Sequence, residues 1–213
     1  MTNHSNSHRV AMLGTVSAGA AISVFIIGSL VLLGWIFDLT VLKSLHPGLV
    51  SMKSNTALAF MLTGIALWLS QAKRTGFRAS GIVARGCASV VAGVGLLTLS
   101  EYAFGWNLGF DQLLFTEPAG TVGTFSPGRM GPNTALNFLL LGLSLLLLDV
   151  QTRRGHRPAQ YLMGVGGIIV TGLGWVADHW GIIWALQITF MLPFLAFLIF
   201  FLIPYPPPSH KFA

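Results

Sequence analysis

Six long runs of apolar residues, separated by short clusters of charged, Pro and Gly residues, organise the chain. They extend from Val10 to Phe37, Asn55 to Gln71, Gly81 to Trp106, Asn133 to Val150, Ala159 to Ala177 and Gly181 to Pro204. A helix rises 1.5 Å per residue, so roughly 20 apolar residues cross about 30 Å of hydrocarbon. The pattern therefore predicts an all-α integral membrane protein with six transmembrane helices. The polar opening residues 1–9 precede an apolar run much longer than the core of a cleaved signal peptide, which predicts an uncleaved anchor.

The second and fourth runs are related. Met52-Lys-Ser-Asn-Thr-Ala-Leu-Ala-Phe-Met-Leu-Thr-Gly returns 78 positions later as Met130-Gly-Pro-Asn-Thr-Ala-Leu-Asn-Phe-Leu-Leu-Leu-Gly, and ten of eighteen positions from Met52 and Met130 onward are identical. Each copy follows an apolar run ending in a Gly-Trp pair with an acid beyond it, Gly34-Trp35 with Asp38 and Gly105-Trp106 with Asp111. A third pair, Gly174-Trp175 with Asp178, precedes a last run in which the Asn-Thr motif is lost. The reading is three helical hairpins, about 10–71, 81–150 and 159–204, forming one domain at 10–204 between a cytoplasmic tail at 1–9 and another at 205–213. Hairpins that enter and leave on one side are parallel repeats, unlike the inverted repeats of many transporters.

Composition agrees with a lipid environment: 54% of the 213 residues are hydrophobic and 8% charged, with a mean hydropathy of +0.74. The net charge of +6 lies in connectors and forms no basic stripe with interleaved aromatics, so it reads as a topology signal and not as a nucleic-acid surface. With the N-terminus inside, nine basic residues (Arg9, Lys73, Arg74, Arg78, Arg85, Arg153, Arg154, Arg157 and Lys211) are cytoplasmic, and Lys43, Lys53 and Arg129 are outside. Cytoplasmic loops carry the Lys and Arg excess, so both termini are expected in the cytoplasm of a cell with the protein in its inner membrane. Asp38, Glu101, Asp111, Glu117 and Asp178 fall outside and Asp149 inside.

Candidate chemistry gathers at the outer ends. Asn55-Thr56 and Asn133-Thr134 open the second and fourth helices, where unpaired N–H groups accept side-chain caps and where a polar ligand is also recognised. Gly64 and Gly142 are placed for close helix approach, as are Ala88 with Ala92 and Ser89 with Gly93. Glu101, in Leu99-Ser-Glu-Tyr-Ala-Phe-Gly-Trp, puts a carboxylate at the negative end of a helix dipole and calls for a partner, Arg129 or Tyr102, or for contact with interfacial water. The 26 residues between Trp106 and Asn133 exceed an ordinary connection; in them Phe110, Leu113, Leu114 and Phe115 are expected to lie along the interface or cap the bundle, with Asp111 at the tip of a turn. Trp35, Trp106, Trp175 and Trp180 read as an aromatic belt. The single cysteine, Cys87, allows no internal disulfide. Histidine spacing supports no metal or haem site, no catalytic motif is present, and neither enzymatic activity nor a cofactor is expected.

The repeated Met-x-x-Asn-Thr-Ala-Leu-x-Phe, together with Leu-Ser-Glu-Tyr-Ala-Phe-Gly-Trp-Asn-Leu-Gly-Phe-Asp-Gln-Leu-Leu-Phe and Pro-Gly-Arg-Met, resembles the N-terminal multi-helix membrane sensor region of bacterial sensor histidine kinases and related signalling proteins. The resemblance runs from about Gly34 to Pro206 and is strongest from Leu99 to Leu148. It implies a sensory or ligand-responsive module, here without an output domain after Pro206. Ligand-binding candidates are Asn55, Thr56, Glu101, Tyr102, Asp111, Arg129, Asn133 and Thr134. Expected partners are membrane lipids and a membrane or cytoplasmic signalling protein. The alternative is an accessory subunit of a larger membrane complex.

Overall fold

A computed structural model describes residues 2–44, 50–72, 78–118, 120–121, 126–152 and 155–179. These residues are helical or irregular, with no strand among them. The helices are α1 (Thr2–Ile36), α2 (Thr40–Lys43), α3 (Ser54–Ala72), α4 (Arg78–Phe104), α5 (Pro132–Leu146) and α6 (Pro158–His179), with a 3-10 turn at Phe110–Gln112. Five of the six expected apolar runs are thus helices, and the sixth, Gly181 to Pro204, lies outside the described residues. Two compact units divide the chain, Ser17–Gly166 and a second made of Met1–Val16 with Gly167–Ala213. Helices α2 to α5 lie wholly within the first.

Two segments among the described residues, Gly14–Ile36 and Ala79–Phe104, are long and apolar enough to cross a membrane. Their surfaces are apolar yet mostly unburied, only 17% and 33% of the respective windows lying inside the protein. A helix that is apolar all round needs an apolar surrounding. Among the described residues, α3 and α5 fall short of a span for local reasons. Polar residues at both ends of α3, Ser54-Asn55-Thr56 and Ser70-Gln71, dilute its hydropathy. Helix α5 ends at Leu146 instead of Val150, and its 15 residues reach about 22 Å.

Packing is set by glycines. A methyl group on Gly28 of α1 would lie 2.6 Å from the Ala57 carbonyl of α3, and one on Gly64 of α3 would lie 2.7 Å from the Ala21 carbonyl of α1. In α4 and α5 the same reciprocal contact holds: Gly95 against the Ala135 carbonyl at 2.5 Å, and Gly142 against Ala92 N at 2.5 Å and the Ala88 carbonyl at 2.8 Å. Without a Cβ the backbones meet directly. Helices α3, α4 and α5 enclose a core of Ala59, Val91, Met130, Ala135 and Phe138, with Phe60 edge-on to Phe138 at 5.3 Å. Beyond α5, Ser144 Oγ donates to the Ala159 carbonyl of α6 at 3.3 Å.

These contacts recur at fixed offsets. Residues of α1 correspond to residues of α4 67 positions on, and residues of α3 to residues of α5 78 positions on: Gly28 with Gly95, Ala21 with Ala88, Ala57 with Ala135, Gly64 with Gly142. At the helix ends, the Trp35 indole N–H donates to the Met52 carbonyl at 2.9 Å, and the Tyr102 hydroxyl donates to the Met130 carbonyl at 3.1 Å. After each, the backbone turns left-handed, at Asp38 (φ 53°) and Gly105 (φ 68°). The Gly-Trp pairs are not equivalent in this register: Gly34-Trp35 lies inside α1, while Gly105-Trp106 lies beyond the end of α4. The position matching Gly34 is Glu101.

Candidate functional site

Helices α1 and α4 finish, and α3 and α5 begin, at one end of the 17–166 unit, and the charged side chains of the long connector converge there. Glu101 occupies the last turn of α4 and is 1% exposed. One of its oxygens, Oε1, accepts the Leu108 backbone N–H at 2.7 Å, which folds the chain back over the helix end. A left-handed Gly109 (φ 76°) then turns it into the 3-10 turn carrying Asp111. Asp111 is buried, not the exposed tip of a turn.

Arg129 links the two acids. Its Nε lies 2.8 Å from Asp111 Oδ2 and 3.1 Å from Glu101 Oε2, with side-chain exposures of 9%, 5% and 0% for Arg129, Asp111 and Glu101. An Nε carries one hydrogen, and it is directed to Asp111. Glu101 Oε2 therefore feels the guanidinium charge but has no hydrogen-bond partner among the described residues. Thr98 Oγ1, one turn earlier on α4, is likewise buried without a hydrogen-bond partner among the described residues. The guanidinium also sits 5.5 Å from the Tyr102 ring and donates through Nη2 to the Trp106 carbonyl at 3.5 Å. Burial alone would ease the proton off Arg129, but the hydrogen bond and charge of Asp111, with that of Glu101, hold its pKa above the ordinary value.

From the other hairpin, buried Asn55 reaches in. Its Nδ2 donates to Asp111 Oδ1 at 3.5 Å, while its Oδ1 accepts the Thr56 N–H at 2.8 Å and so satisfies one of the first-turn donors of α3. Beside it, Lys53 Nζ contacts both oxygens of Glu117 at 2.6 and 2.7 Å. Ser51 Oγ and the Gly128 N–H add hydrogen bonds to Glu117 at 3.3 and 2.7 Å. Burial pushes the Glu117 carboxyl up, and these donors with the Lys53 charge outweigh it, holding the group below the ordinary glutamate range. Phe115 stacks on Trp35 at 5.8 Å, with Lys43 Nζ over the same indole at 4.8 Å. Trp35 is thus half-buried in packing at this end. The connector is a strap that starts in the α4–α5 hairpin and fastens to the α1–α3 hairpin.

Of the residues singled out from sequence, Asn55, Glu101, Tyr102, Asp111 and Arg129 come together, with Thr56 buried beside Asn55. Asn133 is exposed and Thr134 half-buried, in the first turn of α5. Nor does Asn133 cap α5: the N-cap is Gly131, without a side-chain cap bond, and Pro132 takes the first position. Tyr102 serves Met130 and not Glu101. Sequence reasoning passed over Lys53, Glu117, Ser51 and Gly128. A signal was present in the charge tally: the three cations that break the inside bias, Lys43, Lys53 and Arg129, are those that pair with Asp38, Glu117 and the Asp111–Glu101 couple.

The cluster can hold a fixed charge pattern of two carboxylates on one guanidinium, with an amide and an unsatisfied carboxylate oxygen at its edge. Among the described residues no group of three or more metal-ligating side chains forms. Compared with protein families, with curated proteins and with solved structures, the chain matches none.

Proposed function

We propose that this chain is a membrane-embedded sensory module, six helices in three parallel hairpins made from one repeated unit, with both termini in the cytoplasm of a bacterial inner membrane. The charged end of the 17–166 unit is its receiving face, on the side away from the cytoplasm. The observation that carries the reading is the buried Glu101–Arg129–Asp111 cluster, which ties the strap to the end of α4 and, through Asn55, to the start of α3. An ionisable group at this depth is expensive to keep. A signal that supplies a donor to Glu101, or competes for Arg129, changes how the strap holds the two hairpins. The likeness to sensor-kinase input regions and the recurrence of hairpin contacts at fixed offsets support the same reading.

The test uses the full chain in lipid nanodiscs. A panel of small cations, amines, organic acids and lipid extracts is scanned for a rise in melting temperature, followed by Glu101→Gln and Asn55→Ala. A responding compound whose effect survives both substitutions removes the site. A fluorescent protein fused after Ala213 should be bright in cells, and a periplasm-dependent reporter active there overturns the topology.

A second reading, an accessory subunit of a larger complex, is favoured by one observation. A methyl group on Gly86 or Gly93 of α4 would meet nothing within 4 Å, and Ser89 between them is exposed. Such a small-residue face is suited to a helix from another chain. Purification from native membranes in gentle detergent, with identification of stoichiometric companions, separates the readings.

A further inference from the structure

The strap is built inside-out. From Phe104 to Leu114 the acid Asp111 is turned inward and is 4% exposed, while Leu113, two residues on, is 80% exposed. Phe104, Trp106, Leu108 and Leu114 are exposed as well. A connector in water would do the reverse, keeping the carboxylate wet and the leucines dry. The corresponding stretch after α1 behaves alike: Phe37 and Val41 are exposed, Val41 to 80%.

Where these residues lie decides what covers them. Phe104 is the last residue of one candidate span, and Phe37 directly follows Ile36, the last residue of the other. The apolar rim therefore continues the lipid-exposed surfaces of α1 and α4 past their ends. It also carries groups a dry protein interface would reject: the Asp38 side chain is 92% exposed while its partner Lys43 is 14% exposed, and Asn107, Gln112 and Thr116 are exposed. Apolar and aromatic side chains mixed with polar groups suit the boundary between headgroups and acyl chains, where both are solvated.

We infer that the Phe104–Leu114 segment and the Phe37–Val41 turn form a lipid-contacting platform seated in the headgroup–acyl boundary of the bilayer. The inference rests on α1 and α4 being membrane spans, and it gives the proposed sensor a direct mechanical contact with the bilayer. Asp111 is fixed to Arg129 on the inner side of the segment whose outer side the lipid holds, so a change in lipid packing displaces the charged cluster itself.

The experiment places a nitroxide at Leu113→Cys, Leu108→Cys or Val41→Cys in a Cys87→Ser background, with the full chain in phosphatidylcholine–phosphatidylglycerol vesicles. Ile26→Cys, on the exposed face of α1, is the reference. Power saturation compares accessibility to oxygen, which concentrates in acyl chains, with accessibility to a water-soluble nickel chelate. At the three rim sites oxygen accessibility is expected to exceed that of nickel, by less than at Ile26, as for labels within about 5–10 Å of the headgroup boundary. Nickel exceeding oxygen at the rim while Ile26 remains lipid-like overturns the platform alone. Low accessibility to both reagents, with an immobilised spectrum, overturns it in favour of a covering protein. An Ile26 label that is itself nickel-accessible overturns the membrane reading beneath it.

Discussion

The Lys53 ammonium lies 2.6 and 2.7 Å from the two carboxylate oxygens of Glu117, which stands 64 positions later in the chain. Their side chains are 6% and 1% exposed, so the pair closes the strap over the first turn of α3 from within. Removing one partner of a buried pair leaves the other charged and dry, at a cost of about 3–5 kcal/mol. Lys53→Met is expected to lower the melting temperature in detergent and to open the peptide bond after Arg129 to trypsin. Lys53→Met combined with Glu117→Gln, which keeps an acceptor for the Gly128 N–H, is expected to recover most of that loss. A double variant as weak as the single one disproves the pairing as the fastening.

The same pair sets an acid limit. The folded Glu117 carboxyl titrates below its ordinary value, so its stabilising contribution is fully present above the unfolded pKa of about 4.3 and is lost as pH falls through the lower folded value. The advantage of wild type over Glu117→Gln is therefore expected to be constant from pH 7 to about 5 and to shrink below about 4.3. Melting curves at half-unit pH steps measure it. Asp38, held below its ordinary value by Lys43, moves in the same direction, and Asp38→Asn is the control that separates the two. An advantage that grows with acid contradicts the assignment.

Gly128 and Gly120 both have left-handed backbones, with φ of 75° and 86°, but differ in surroundings. A methyl at Gly128 would stand 2.6 Å from the Asp111 carbonyl, whereas one at Gly120 would meet nothing within 4 Å. Gly120→Ala is expected to cost only the conformational penalty, about 1–2 kcal/mol. Gly128→Ala adds a collision with backbone, a further cost of about 1–3 kcal/mol, and displaces Asp111 from Arg129. Thermal unfolding of the two variants side by side gives the difference, and equal losses would show that the close approach is not maintained.

The long helices among the described residues were legible because each follows a long apolar run, and a run such as Gly81 to Trp106 announces itself without knowledge of its neighbours. Close approach at Gly64 and Gly142 was legible too, from their matching places in a repeated motif. The strap was not. Lys53 meets Glu117 and Arg129 meets Glu101 through tertiary folding, and nothing local in the sequence couples residues 64 or 28 positions apart. The Gly-Trp dipeptides misled for a related reason. They match in letters, yet the residue doing for α4 what Trp35 does for α1 is Tyr102, an indole N–H replaced by a phenol O–H on the corresponding carbonyl. Equivalence there is one of hydrogen-bond geometry, which a comparison of residue types does not see. Asn55 and Asn133 are the converse, identical in type and motif but one buried against Asp111 and the other exposed.

The reciprocal glycines yield the most comparative prediction. Gly28 and Gly95 each face the carbonyl of a matching alanine, Ala57 or Ala135, at 2.6 and 2.5 Å from an added methyl. Because the obstacle is backbone in both cases, neither hairpin relieves the clash by turning a side chain, and the helices must separate. Gly28→Ala and Gly95→Ala are therefore expected to destabilise by similar amounts, about 1–3 kcal/mol. Gly86→Ala and Gly93→Ala lie on the same helix as Gly95 and meet open space. Those two are expected to be neutral or stabilising by up to about 1 kcal/mol, since alanine is the better helix former. Unfolding of all four in one detergent makes the comparison internal. Destabilisation at Gly86 or Gly93 as large as at Gly95 would mean that backbone apposition is not what sets the cost at these glycines. A loss at Gly28 without one at Gly95 would break the equivalence of the two hairpins.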